Sequence, residues 1–276
     1  MSELNPSLLH ARLGRRSVLR NGLLAVGAGA FLAACGDREG STDPGRIGNA
    51  APPPTLPETG EITDVTWLRT MQSLEHSMLA LYAGLSEHGG LPGEAAPLAE
   101  RFVADHERTA AALGALITAA GGTEFACENP FFSDRYVAPV LAGIDAEGND
   151  VERDIAQIAS SFEEWTGRSF QAVVARAWED PSLRPAMAVF AGEANRRAAG
   201  LALALSPDTV LSPALTGEPL EAGEDGFPVL YAIPARFGQV SGIELRHGAP
   251  NQDGAYATIA LQTPAANSLA YDSLSC

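Results

Sequence analysis

Residues 98–122 read LAERFVADHERTAAALGALITAAGG. The apolar positions Leu98, Phe102, Thr109/Ala110, Leu113 and Leu116/Ile117 recur in steps of three and four, the period of one helical face. The pattern predicts a helix from about Pro97 to Ala120. Gly121-Gly122 then stops it, because glycine accepts the left-handed backbone that closes a helix. His106 falls on the apolar line itself, and Glu107 sits one residue to the side. A polar group on a core face must find a partner there.

The same period extends on both sides. Between about Asp64 and Ser86 the line is Leu68, Met71, Glu75, Met78, Tyr82 and Leu85, ending at Gly89-Gly90. Glu75 is an acid in an otherwise apolar stripe. After Gly122, roughly 30 residues to Asp150 carry Asn129-Pro130 and Gly148-Asn149, and then the period resumes from Val151 to about Trp178. There Ile155, Ile158, Ala159, Phe162, Thr166, Phe170, Val173 and Ala177 point inward, with Glu163 at the stripe's edge. Glu164 falls opposite, where it can pair with Arg168 one turn on. Pro181 and Pro185 interrupt the chain. A last helix runs from about Pro185 to Leu205, so rich in Ala that its inward face is ambiguous, with Glu193 and Arg196 one turn apart.

Short connections make antiparallel neighbours, and a long one lets the chain cross to begin a second pair. The expected fold is therefore all-α: a ferritin-like four-helix bundle with a long crossover over residues 62–206, plus a small β-containing C-terminal appendage. Four local stretches strengthen this. They are Leu74-Glu75-His76 with Tyr82, Asp105-His106-Glu107 with Leu113 and Gly121-Gly122, Phe162-Glu163-Glu164 with Gly167, and Gly192-Glu193-Ala194-Asn195-Arg196. In order and spacing they resemble the exported bacterial ferritin-like domain proteins.

The resemblance implies a di-iron or di-manganese carboxylate site, with one Glu from each of two helices and a Glu-x-x-His from each of the others. Glu75 and Glu163 (or Glu164) are similar to the single acids, and Glu107 and Glu193 to the acids of the paired motifs. The sequence departs at the two His positions, which hold Ala110 and Arg196; a guanidinium has no lone pair to give a metal. Three arrangements stay open. His106 or His76 can replace a missing ligand, giving a metal set of Glu75, His106, Glu107, Glu163 and Glu193 around iron or manganese. Arg196 can instead supply the positive charge, leaving a buried ion-pair network and no cofactor. Or the acids face water. His88 and His247 adjoin turn-like stretches and are expected at the surface.

Ahead of the helices, Gly14-Arg15-Arg16-Ser17-Val18-Leu19-Arg20 precedes an uncharged apolar run from about Gly22 to Ala34, too short to span a bilayer. The stretch resembles a twin-arginine export signal, and Leu32-Ala33-Ala34-Cys35 resembles a bacterial lipobox. The resemblance implies removal of residues 1–34, lipidation of Cys35 and an anchor in a membrane on the extracytoplasmic side, in the cell envelope. Residues 35–61, with Pro52-Pro53-Pro54, read as a tether. Two thiols are left over, Cys127 and Cys276. Outside the cytoplasm they are candidates for one disulfide.

Residues 207–276 change texture to Pro and Gly punctuation around β-prone runs at Val229–Ile233, Val240–Leu245 and Ala255–Leu261. The whole chain carries 18 basic residues, all Arg, against 34 acids, a formal charge of −16. The first 34 residues hold four Arg and one acid, so the remainder holds 14 Arg against 33 acids, a formal −19. Such a surface repels nucleic-acid backbones. No nucleophile–base motif, phosphate loop or zinc-ligand Cys cluster points to a hydrolase or nucleotide-dependent enzyme. Two functional readings remain: a binding or scaffold protein of the cell envelope with a degenerate di-metal site, its protein partner unidentified, or a metal-binding protein or metal-dependent oxidoreductase with an atypical carboxylate/His site.

Overall fold

The computed structural model of the chain describes residues 62–176, 178–212, 229–232, 243–261, 263 and 276. The expected signal, Cys35 and the tether lie outside the described residues, as does much of 207–276. The described chain is mostly helical, with one small sheet. The helices are α1 (Asp64–Glu87), α2 (Ala96–Ala119), α3 (Ala138–Ile144), α4 (Val151–Val174) and α5 (Leu183–Leu205). Two antiparallel strands follow, β1 (Ile243–His247) and β2 (Ala257–Leu261), with Leu245 opposite Ile259.

Helix boundaries follow local chemistry. The Thr63 hydroxyl accepts from the Thr66 amide at 3.2 Å to start α1, and Asp150 accepts from the Arg153 amide at 3.0 Å to start α4. At the end of α2, Gly121 takes φ +79°, and the Gly122 amide turns back to the Ile117 carbonyl at 2.9 Å. Helix α4 ends at Val174, four residues before the expected Trp178. Trp178 instead folds back, and its indole N–H donates to the Val173 carbonyl at 3.0 Å, sharing that helix-end acceptor with the Arg176 amide.

Helix α1 packs along α2, and α4 along α5. The pairs share one core, with Leu68, Met71 and Met78 from α1, Leu113 and Ile117 from α2, Ile158, Phe162 and Phe170 from α4, and Met187 and Leu201 from α5. Each such side chain contributes about 1.5–3 kcal/mol by leaving water. The crossover is held by polar residues of α1. Gln72 accepts from the Phe125 amide at 2.8 Å and donates to the Ala110 carbonyl at 3.2 Å, joining α1, α2 and the crossover. The Asn129 amide reaches the Ser73 carbonyl and the Ser77 hydroxyl. Phe132 then stacks on Trp165 of α4, with ring centres 4.3 Å apart.

The β-hairpin buries Ile243, Leu245 and Leu261 against the helices. Asp154 near the start of α4, fully buried, accepts from the Gly248 amide and from Asn149 Nδ2 at 3.0 Å. Cys127 of the crossover and Cys276 form a disulfide, with Cα atoms 5.8 Å apart. The expected strand at Val229–Ile233 is absent from residues 229–232, and Ile233 lies outside the described residues. His247, expected at the surface, is only 3% exposed, because β1 turns it toward Gly143. Among the described residues no helix is long and apolar enough to cross a membrane.

Candidate functional site

Each of the four long helices sends polar side chains to one point in the core. From α2 comes His106, wholly buried because it sits on the line of Phe102, Thr109 and Leu113. From α1 come Glu75 and Tyr82, seven residues and two turns apart on the inward stripe. Glu163 arrives from α4 and Arg197 from α5. None of the five is more than 4% exposed.

Glu163 is the centre. Its Oε1 accepts from Tyr82 Oη at 2.8 Å and from His106 Nε2 at 3.0 Å, and its Oε2 accepts from Arg197 Nε at 2.8 Å. The other imidazole nitrogen, His106 Nδ1, lies 2.6 Å from Glu75 Oε2. His106 is thus clamped between two acids. Burial by itself would lower its pKa, but the charges of Glu163 and Glu75, with their hydrogen bonds, outweigh burial and raise it to about 9. Burial would likewise raise Glu163, yet the charges of His106 and Arg197 bring it down to about 2. Arg197 loses to burial but gains more from Glu163 and Glu75, which raise its pKa further. Tyr82 is pushed well above its ordinary value by burial and by the Glu163 charge. Two imidazolium or guanidinium charges face two carboxylates, and the formal charge of the cluster is zero.

The structure brings Glu75, His106 and Glu163 together and leaves the other two expected ligands outside. Glu107 is exposed on α2, one residue round the helix from His106. Glu193 is 39% exposed and pairs with Arg196, at 3.8 Å. Glu164 is also outside and pairs with Arg168. His76 faces away from the core, into an open cleft of about 690 Å³ beside Glu128 and Asp134. Burial lowers its pKa, opposed by the Glu75, Glu124 and Glu128 charges. His88 pairs with Asp145 at 3.0 Å.

Arg196 is not the internal cation; its side chain is 70% exposed, and Arg197 is the residue inside. Counting three residues on from Glu193 points to Arg196. The packing of α5 points one residue further, because Met187, Ala191, Ala194, Arg197 and Leu201 form one stripe at steps of three and four. That spacing was available in the sequence and is the signal that finds Arg197.

A di-metal carboxylate centre does not fit these residues. It needs four acids and two imidazoles; here two acids and one imidazole converge, both imidazole nitrogens face carboxylate oxygens, and a guanidinium supplies the balancing charge. Among the described residues no group of three or more His, Cys, Asp and Glu has metal-binding geometry. Compared with family models, curated proteins and solved structures, the chain matches none.

Proposed function

We propose that this chain is a membrane-anchored, extracytoplasmic lipoprotein carrying a ferritin-like four-helix bundle, and that it serves the cell envelope as a binding or scaffold protein, not as a metal-dependent oxidase. The observation that carries the reading is the salt bridge between Arg197 and Glu163 in the middle of the helices. A core whose carboxylates are neutralised by the chain's own cations has a packing and register role, and its acids have no charge left over for a pair of captured ions. The lipobox-like sequence at Cys35 supports the anchor, and two helix pairs joined by a crossover support the bundle. The acidic surface disfavours nucleic acid as a partner.

The test is metal content. Mature protein, purified without a polyhistidine tag and titrated anaerobically with Fe(II) or Mn(II), is expected to hold well under one ion per chain. Two equivalents bound, and lost in Glu75→Ala, would replace this reading with that of a metal-dependent oxidoreductase.

A further inference from the structure

Among the described residues two imidazoles are buried, His106 in the Glu163 cluster and His247 at the end of β1. They are opposite cases. His106 has a carboxylate on each nitrogen. His247 has both Nδ1 and Nε2 buried with no hydrogen-bond partner. A neutral imidazole offers one donor and one acceptor, so both are left unmade here, which is costly. The ring packs on bare helix backbone, since a Cβ on Gly143 of α3 would come within 3.1 Å of Nδ1. Charge around it is sparse and already committed. Helix α3 (Ala138–Ile144) and β2 (Ala257–Leu261) carry no ionisable side chain. In the connection from α3 to α4, Asp145, Glu147 and Asp150 are exposed. From α4, the charged group acting on the ring is Asp154. Its carboxylate already accepts from the Gly248 amide, Asn149 Nδ2 and Arg153 Nη2. Arg153 donates in turn to the Gly248 carbonyl at 3.3 Å. Along β1 itself, alternation sets positions 244 and 246 on the other face, and Arg246 is exposed. Burial lowers the pKa of His247 and outweighs the opposing pull of Asp154.

We propose that the β1–β2 hairpin is an acid-released flap: a proton taken up by His247 lifts the hairpin from α3 and the start of α4 while the four long helices stay folded, uncovering the apolar surface that Ile243, Leu245 and Leu261 occupy. This is independent of how the Glu163 cluster is read. A charged imidazole in that position would have no acceptor and no water, so the docked state excludes the proton and the lifted state admits it. The sign follows. Lifted, the ring has its ordinary value of 6.5; docked, a lower one. Docking is therefore complete above about 6.5 and weakens as pH falls, by up to about tenfold in the opening equilibrium per pH unit, until the docked value is reached. The helices do not follow, because Glu163 and His106 both keep their stabilising charges between about 4.5 and 6.5. The flap is also covalently held at both ends, by α5 before it and by the Cys127–Cys276 disulfide after it. Opening is thus local and reversible.

Hydrogen exchange read by mass spectrometry between about pH 7.5 and 4.5, corrected for the intrinsic exchange rate at each pH, tests this in the disulfide-intact protein. Peptides covering 243–261 should lose protection below about pH 6.5, by up to about tenfold per unit, and regain it on return to neutral pH. Peptides of α1 and α4 should stay protected throughout. His247→Leu, which keeps an apolar group in the same place, should hold the hairpin docked across the range. Should that variant leave the hairpin open at every pH, His247→Gln and the imidazole proton resonances of the parent decide instead. His247→Gln should then show no pH dependence, and His247 in the parent should titrate below 6.5. Hairpin protection that is flat with pH in the parent, acid opening that survives removal of His247, or a His247 midpoint at or above 6.5 each overturn the flap. Loss of protection in α1 and α4 together with the hairpin overturns it too, because the opening would then be global.

Discussion

Arg197 Nε donates to Glu163 Oε2 across 2.8 Å between α5 and α4, with both side chains sealed from water. Its chain neighbour Arg196 is 70% exposed and pairs at the surface with Glu193, at 3.8 Å. Two adjacent arginines therefore occupy opposite energetic situations, since successive helix residues are turned by about 100°. Removing one partner of a buried pair strands the other charge, at about 3–5 kcal/mol. Breaking an exposed pair costs under about 1 kcal/mol. Urea denaturation should place Arg197→Ala several kcal/mol below the parent protein and Arg196→Ala within about 0.5 kcal/mol of it. Equal losses in the two variants would mean that Arg197 does not carry the pairing.

Stability should peak in mildly acidic solution. The Glu163 carboxyl is held at about 2 against an ordinary 4.5, so its contribution is complete above about 4.5 and drains away as pH falls toward 2. His106 is held at about 9 against 6.5, so its contribution is complete below about 6.5 and is lost as pH rises toward 9. Both are fully present only between those ordinary values. The same ion pair sets both displacements, so its worth, on the order of 3 kcal/mol, is counted once. Urea midpoints measured from pH 4 to 10 should fall on the alkaline side for the parent protein. In His106→Gln that alkaline fall should flatten; an unchanged slope would remove His106 as its cause.

How much of this could be read from the chain depended on how strongly each helix is patterned. On α1 and α2 the apolar stripe is interrupted by Glu75 and His106, which lie where the period puts them; on α4 the period sets Glu163 only at the stripe's edge, and the structure buries it completely. Large side chains such as Phe102, Phe162 and Phe170 leave no doubt about the inward face. On α5 the alternation is between alanines and other small residues, so hydrophobicity barely distinguishes inside from outside. The motif spacing of the resembled family then selects Glu193 and Arg196, while packing selects Arg197. Glu107 misled for a related reason: a spacing borrowed from a paired Glu-x-x-His motif has no force where position 110 is Ala. The hairpin was legible from its β-prone runs flanking Gly248 and Gly254. The burial of His247 was not, because it depends on β1 docking against Gly143 of α3.

The Cys127–Cys276 bridge closes a separation of 149 residues, from the crossover to the last residue. Constraining the unfolded chain over so long a loop contributes about 2–5 kcal/mol. Cys276→Ser, or reduction with dithiothreitol, should lower the urea midpoint by a corresponding amount while the helical circular dichroism of the folded state persists, since the buried contacts among α1, α2, α4 and α5 do not involve either sulfur. Labelling of the denatured, unreduced protein with a thiol reagent should find neither Cys127 nor Cys276 modified. Full labelling of both would remove the bridge and its share of stability together.

The proposed anchor makes the cleanest prediction in cells. Residues Leu32-Ala33-Ala34-Cys35 follow an apolar run too short to span a bilayer, so an uncleaved segment would hold the protein weakly, whereas the acyl chains proposed on Cys35 would contribute about 0.8 kcal/mol for each buried methylene. Two or more such chains would make release slow. Cys35→Ala should therefore move the protein from the membrane fraction to the soluble fraction, with the folded helical part unchanged in its denaturation midpoint. Replacing Arg15-Arg16 with Lys-Lys should instead retain the full-length chain in the cytoplasm, because the paired guanidinium groups, not positive charge alone, mark the export signal this stretch resembles. Mass spectrometry of the parent protein should find an N-terminal peptide beginning at acylated Cys35. A peptide that still carries residues 1–34, recovered from membranes in the Cys35→Ala variant as well, would make the apolar run the anchor and leave Cys35 without a role.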